Sequence, residues 1–213
     1  MTGLMNCPPD ADCGLCPRLS AFRAKNRKSF PDKFNAPVPS FGPTDAKLLV
    51  VGLAPGLRGA NFTGRPFTGD WAGDLLYGTL LKFGFAKGTY DERPDDGLTL
   101  SGCRITNAVR CVPPENKPTP QEISTCRPFL ETEIAALPKL RVILSLGKIS
   151  HDAVVRTFGK KLSACKFVHG AQHDLGRGIT LIDSYHCSRY NTNTRRLTED
   201  MFHQVFDKIR KSL

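Results

Sequence analysis

Residues able to do chemistry fall in four places along the chain. In "GRPFTGDWAGDLLYGTL" a Gly-, Thr- and Pro-rich loop turns at Asp70 into helical spacing, with Leu75, Leu76, Leu80 and Phe83 on one face. An aspartate there can cap a free first-turn N–H, worth about 1 kcal/mol. The same carboxylate can position a water or favour a developing positive charge, so cap and catalyst are both open. "CGLC" sets Cys13 and Cys16 two residues apart, and "CVPPENKPTPQEISTC" adds Cys111 and Cys126. Four such thiols suit a tetrahedral zinc ion or a cubane iron–sulfur cluster, and spacing does not choose between them. Cys7 is a lower-ranked substitute ligand. Asn107 carries an amide that both donates and accepts, and His186 heads the polar run "HCSRYNTNTRRLT".

Four short runs rich in Val, Ile and Leu must position these groups: "KLLVVGL" (47 to 53), "CRITNAV" (103 to 109), "RVILSLG" (141 to 147) and "GITLIDSYH" (178 to 186). They alternate with helical patterns at 71 to 85, 120 to 135, 148 to 158 and 196 to 212. The helix at 120 has Thr119 as cap, Pro120 in its first position and Glu122 to complete a capping box. The alternation implies βαβ units and a mostly parallel sheet covered on both faces. Ligands of such sheets gather beyond the carboxyl ends of the strands. Three of the four ends carry polar, Gly- or Pro-rich segments, which makes these the place for one site. Residues before 47 read as an irregular, basic, packed arm, and residues 86 to 98 as an exposed connection.

The 213 residues fit one domain, 1–213, with 1–46 as an N-terminal arm that carries two of the cysteines. The formal charge of +10 favours a polyanionic partner, because Lys and Arg at phosphates release condensed counterions. No apolar run approaches the roughly 20 residues that cross a bilayer, and the start lacks a signal pattern. A soluble, cytoplasmic protein without membrane contact is expected. Eight cysteines in such a chain read as metal ligands or buried free thiols, not as a disulfide framework.

Taken together, "CGLCPRL", "GLAPGLRGANFTGRPFTGDWAGDLLY", "ITNAVRCVPPENKPTPQE", Cys126 and "HCSRYNTNTRRLT" span residues 13 to 198 in order. This combination resembles the iron–sulfur uracil-DNA glycosylases, most closely the B-type group called family 5. The resemblance implies an α/β fold, a three-layer α/β/α sandwich around a four-stranded parallel sheet. It also implies a [4Fe-4S] cluster on Cys13, Cys16, Cys111 and Cys126.

The implied reaction is hydrolysis of uracil from DNA, leaving an abasic site, on a nucleotide flipped out of the stack. Hypoxanthine and other deaminated bases are expected alongside uracil, and a monomer is expected to do the work. By the same resemblance Asn107 reads the base and Phe67 stacks on it. The backbone at Gly52, Ala54 and Gly56 approaches the base or the water, His186 donates to the uracil oxygen, Asp70 is the catalytic carboxylate that positions or deprotonates the water, and Asn61 is an auxiliary water holder. Ser188 and Asn191 hold phosphates, and Arg189 or Tyr190 wedges into the duplex. Two positions depart from the family pattern: Cys187 stands where Pro is usual, loosening the loop, and Arg195 where Gly is usual, adding charge along the DNA path. No active-site lysine is suggested, so a Schiff-base lyase step is not expected. The rival expectation is a catalytically inactive iron–sulfur protein that binds DNA or senses redox state on the same scaffold.

Overall fold

The computed structural model describes residues 9–213, so Cys7 lies outside the described residues. The helices are α1 (Pro17–Ser29), α2 (Ala60–Thr63), α3 (Trp71–Lys82), α4 (Pro120–Ala135), α5 (Lys148–Thr157), α6 (Arg189–Asn193) and α7 (Glu199–Ser212). The strands are β1 (Leu48–Gly52), β2 (Ala86–Lys87), β3 (Thr99–Leu100), β4 (Cys103–Asn107), β5 (Val142–Leu146), β6 (Gln172–Gly176) and β7 (Ile179–Ser184).

The main sheet has the order β4-β1-β5-β7-β6, parallel except for β6, which pairs antiparallel with β7. The α/β class is as expected, but the sheet has five strands and not four. The fifth escapes the hydrophobic pattern because "QHDLG" is polar. It is held by a tight turn in which Gly176, Arg177 and Gly178 all have positive φ. One histidine of this edge strand and one of α5 meet on a buried carboxylate of β7. His151 Nδ1 lies 2.8 Å from Asp183 Oδ1 and His173 Nε2 lies 3.0 Å from Oδ2, while Ser145 Oγ donates to Oδ1 at 2.7 Å.

Period-two alternation sends β1 to two cores. Leu48 and Val50 pack with Leu76, Tyr77 and Leu80 of α3 and with Phe202, Val205, Phe206 and Ile209 of α7. Leu49 and Val51 pack with Leu130 of α4 and with Ala153, Val154 and Val155 of α5. The result is three layers. Among the described residues no helix is long and apolar enough to cross a membrane.

Two segments differ from their sequence readings. The arm before residue 47 contains α1, a helix without a strong apolar stripe that Arg18 ties to Glu122 at 2.7 Å. The 86 to 98 connection is not simply exposed, since β2 and β3 pair at its ends and the Asp96 side chain is fully buried against Arg65 at 2.7 Å.

Candidate active site and cysteine cluster

The carboxyl ends of β1, β4 and β7 open onto a cavity of about 370 Å³. The segment after β1 contributes Leu53, Ala54, Pro55 and Gly56, β4 contributes Asn107, and the turn after β7 contributes His186, Ser188 and Arg189. Phe67 and Asp70 of the loop before α3, with Trp71 and Ala72 of its first turn, close it. Its size lies at the small end for ligand sites.

Asp70 divides its two oxygens. Its backbone is extended at the N-cap of α3, and Oδ1 accepts the Ala72 N–H at 3.1 Å. Oδ2 is turned toward the glycines. A Cβ on Gly56 would lie 3.3 Å from Oδ2, and one on Gly59 only 2.5 Å away. Glycine at both positions is what lets the carboxylate stand at the cavity wall. Burial pushes the Asp70 carboxyl above its ordinary 3.8; the Ala72 and Gly73 N–H groups pull it back, and Asp74 and Glu92 push it further up.

Phe67 and Asn107 meet across Gly52. A Cβ there would sit 2.4 Å from Asn107 Oδ1 and 2.6 Å from Phe67 Cζ, so the missing side chain brings amide and ring together. Gly52 itself stands behind the lining, not in it. Phe67 has φ +54, a conformation costly for an aromatic residue. It is held there by Tyr90, whose hydroxyl donates to the Phe67 carbonyl at 3.1 Å, and by Tyr77, whose hydroxyl donates to the Pro66 carbonyl at 2.6 Å.

His186 stacks near Phe67, with ring centroids 5.9 Å apart and planes at 30°. Its Nδ1 is buried and has no partner among the described residues, and burial pushes the imidazole down to about 4. The ring is therefore neutral at pH 7, with one N–H to donate. Its backbone carbonyl accepts from Asn191 Nδ2 at 2.8 Å.

The other expected site residues fall into groups. Ser188 and Arg189 reach the cavity, and Ser188 Oγ caps α6. Tyr190 projects at 71% exposure. Asn191 serves the His186 carbonyl, while Arg195, at φ +56, is exposed and away from the cavity lining. Asn61 is buried outside the lining; its Nδ2 donates to Asn35 Oδ1 at 2.8 Å and its Oδ1 has no partner among the described residues. Cys187 is fully buried in the core shared by α3 and α7, so it packs and does not loosen the turn.

Sequence reasoning missed Trp71 and Asn116 in the lining and Tyr90 behind it. Trp71 carried a signal, a large apolar residue on the polar side of an amphipathic start. Asn116 carried none, since its left-handed φ of 57 follows from the turn at Pro114–Asn116.

Cys13, Cys16, Cys111 and Cys126 line one small separate cavity with Leu19 and Phe129. The Arg110 N–H donates to Cys126 Sγ at 3.4 Å and Arg23 Nη1 to Cys111 Sγ at 3.5 Å. Burial pushes Cys111 up to about 11 and Cys126 up to about 12. Ala54 packs against this group and also lines the larger cavity.

Fold and cavity together define an α/β protein in which an aromatic ring, an amide, an imidazole and a carboxylate face one pocket beyond the strand ends. Comparison with known proteins places that class. A family model described as the uracil DNA glycosylase superfamily matches residues 39–210. A type-5 uracil-DNA glycosylase of Thermus thermophilus is 44% identical over 204 residues, 93% of this chain and 93% of the relative. One from Mycobacterium tuberculosis is 39% identical over 207 residues, 93% and 77% of the two chains. A type-4 uracil-DNA glycosylase of Sulfurisphaera tokodaii is 31% identical over 175 residues, 79% and 72% of the two chains. The chain belongs to the uracil-DNA glycosylase superfamily, in its type-5 branch.

Proposed function

We propose that the protein hydrolyses the N-glycosidic bond of uracil in DNA and releases the free base, leaving an abasic site for base excision repair. The observation that carries this reading is the division of labour in Asp70, with Oδ1 spent on the helix cap and Oδ2 turned to the glycine wall of the cavity. In this reading the uracil leaves the duplex and stacks on Phe67, while the Asn107 amide reads its imide edge. As the bond breaks, negative charge grows on the base and positive charge on the sugar. The neutral His186 N–H meets the first, and a fixed donor of this kind is worth about 3 kcal/mol. The Asp70 carboxylate meets the second and takes a proton from the attacking water as its oxygen bonds to the sugar carbon; the base leaves with the bonding electron pair as an anion and is protonated on release, and Asp70 returns its proton to solvent. Hypoxanthine offers the same adjacent N–H and carbonyl to Asn107, so the reading extends to deaminated purines.

Cys13, Cys16, Cys111 and Cys126 are the proposed ligands of a [4Fe-4S] cluster, supported by four thiols on one cavity and two N–H donors aimed at their sulfurs. Bound there, it supplies a four-thiolate tie between the N-terminal segment, the loop after β4, and α4. The protein with a uracil-containing oligonucleotide, followed by alkali, should give strand scission at the uracil. Intact strands that are nonetheless bound would favour the inactive DNA-binding protein instead.

A further inference from the structure

Trp71 is the chain's one tryptophan and follows Asp70 directly. It is large and apolar, yet 49% exposed. It forms part of the cavity rim and also walls an open groove beyond it, shared with Asp74, Leu75, Lys82, Thr192 and Glu199. Its position is fixed. The indole Nε1–H donates to Thr192 Oγ1 at 3.0 Å. Because the Thr192 hydroxyl is within donating reach of the Ser188 and Arg189 carbonyls, at 3.3 and 3.1 Å, its lone pair is left for the indole. The Arg189 guanidinium lies 5.3 Å from the ring centroid, in cation–π range.

An exposed indole held in this way has no packing task to explain it, and its immobilisation is already complete before a ligand arrives. The occupant follows from the charges. Asp74 and Glu199 outnumber Lys82 along the groove, so its walls carry no excess of positive charge for phosphate, whereas an uncharged base suits it, with Arg189 at the rim to receive the backbone. Inside the cavity the stacking ring is Phe67, so Trp71 is left for a different base. Flipping one nucleotide deprives its neighbour of a stacking partner, and an aromatic face can replace that partner.

We propose that Trp71, pinned by Thr192 and Arg189, is the stacking platform for the base adjacent to the flipped nucleotide. The inference rests on base excision from DNA as the function. The sole tryptophan makes it directly testable, because indole emission then reports this site alone. Titration with duplex DNA carrying an abasic-site analogue should quench that emission, whereas free uracil should leave it nearly unchanged. Trp71→Ala should raise KM for a uracil duplex about tenfold, more than it lowers kcat. Trp71→Phe should recover most of the loss, and Thr192→Val should raise KM in the same direction. Unchanged emission on binding abasic DNA, or an unchanged KM in Trp71→Ala, would overturn the platform. Equal quenching by free uracil would overturn it too, since Trp71 would then belong to the base pocket. Excision by the wild type without quenching defeats the platform alone; quenching without excision defeats the excision reading alone.

Discussion

At the residue scale, two groups in the cavity are displaced from their ordinary titration in ways that suit opposite tasks. Asp70 is raised by burial, so it holds a proton more readily than a surface aspartate and is a better base when ionised. Excision should therefore fall on acidification at a pH above the ordinary carboxylate 3.8, as measured by single-turnover rates against pH. A rate that is flat through that range would argue against an ionised Asp70 in the step. His186 is lowered to about 4 from 6.5. Between these values the unfolded chain takes up a proton that the folded chain does not, so stability drops as pH falls from 6.5 toward about 4. In thermal melts the wild type should lose more stability over that window than His186→Gln. Parallel curves for the two proteins would mean that the imidazole is not kept neutral by the fold.

At the element scale, the site depends on backbone that only certain residues allow. Gly52 ends β1 opposite Asn107 of β4, and Gly52→Ala would drive a Cβ into both the Asn107 amide and the Phe67 ring. Excision should fall at least about tenfold, since misplacement by about 1 Å is felt strongly in positioned chemistry. Kinetics together with a circular dichroism spectrum of the folded variant check this, and wild-type turnover would contradict it. Much of this scale was legible in the sequence. The apolar runs located β1, β4, β5 and β7, and Thr119 with Glu122 formed the expected capping box of α4. The polar edge strand β6 and the helix α1 lacked periodicity and were not legible. Neither were Tyr90 and Asp96, because both are placed by Arg65, which lies far off in the sequence. Arg65 pairs with Asp96 and lies 5.4 and 5.7 Å from the rings of Tyr77 and Tyr90. Asp70 was legible as a residue; which of its oxygens did which job required coordinates.

At the scale of the whole molecule, the cysteine quartet and the cavity share a wall at Ala54, and β4 runs into Cys111 four residues after Asn107. Protein purified without oxygen should be brown, and Cys126→Ser should lose the colour, melt at a lower temperature and excise more slowly. A colourless wild type that contains zinc would refute the proposed cluster while leaving the cavity untouched. The central claim is that the Asp70 oxygen facing the cavity does chemistry while the other caps α3. Asparagine caps nearly as well as aspartate, whereas alanine loses about 1 kcal/mol. In a protein of this size that loss lowers the melting temperature by about 2–4 °C. The most direct measurement is release of free uracil from a uracil-containing duplex by wild type, Asp70→Asn and Asp70→Ala, with a melting temperature for each. Both variants should lose turnover by about two orders of magnitude or more, while only Asp70→Ala loses stability. Turnover retained in Asp70→Asn, or lost only in step with stability, would show that Asp70 is no more than a helix cap.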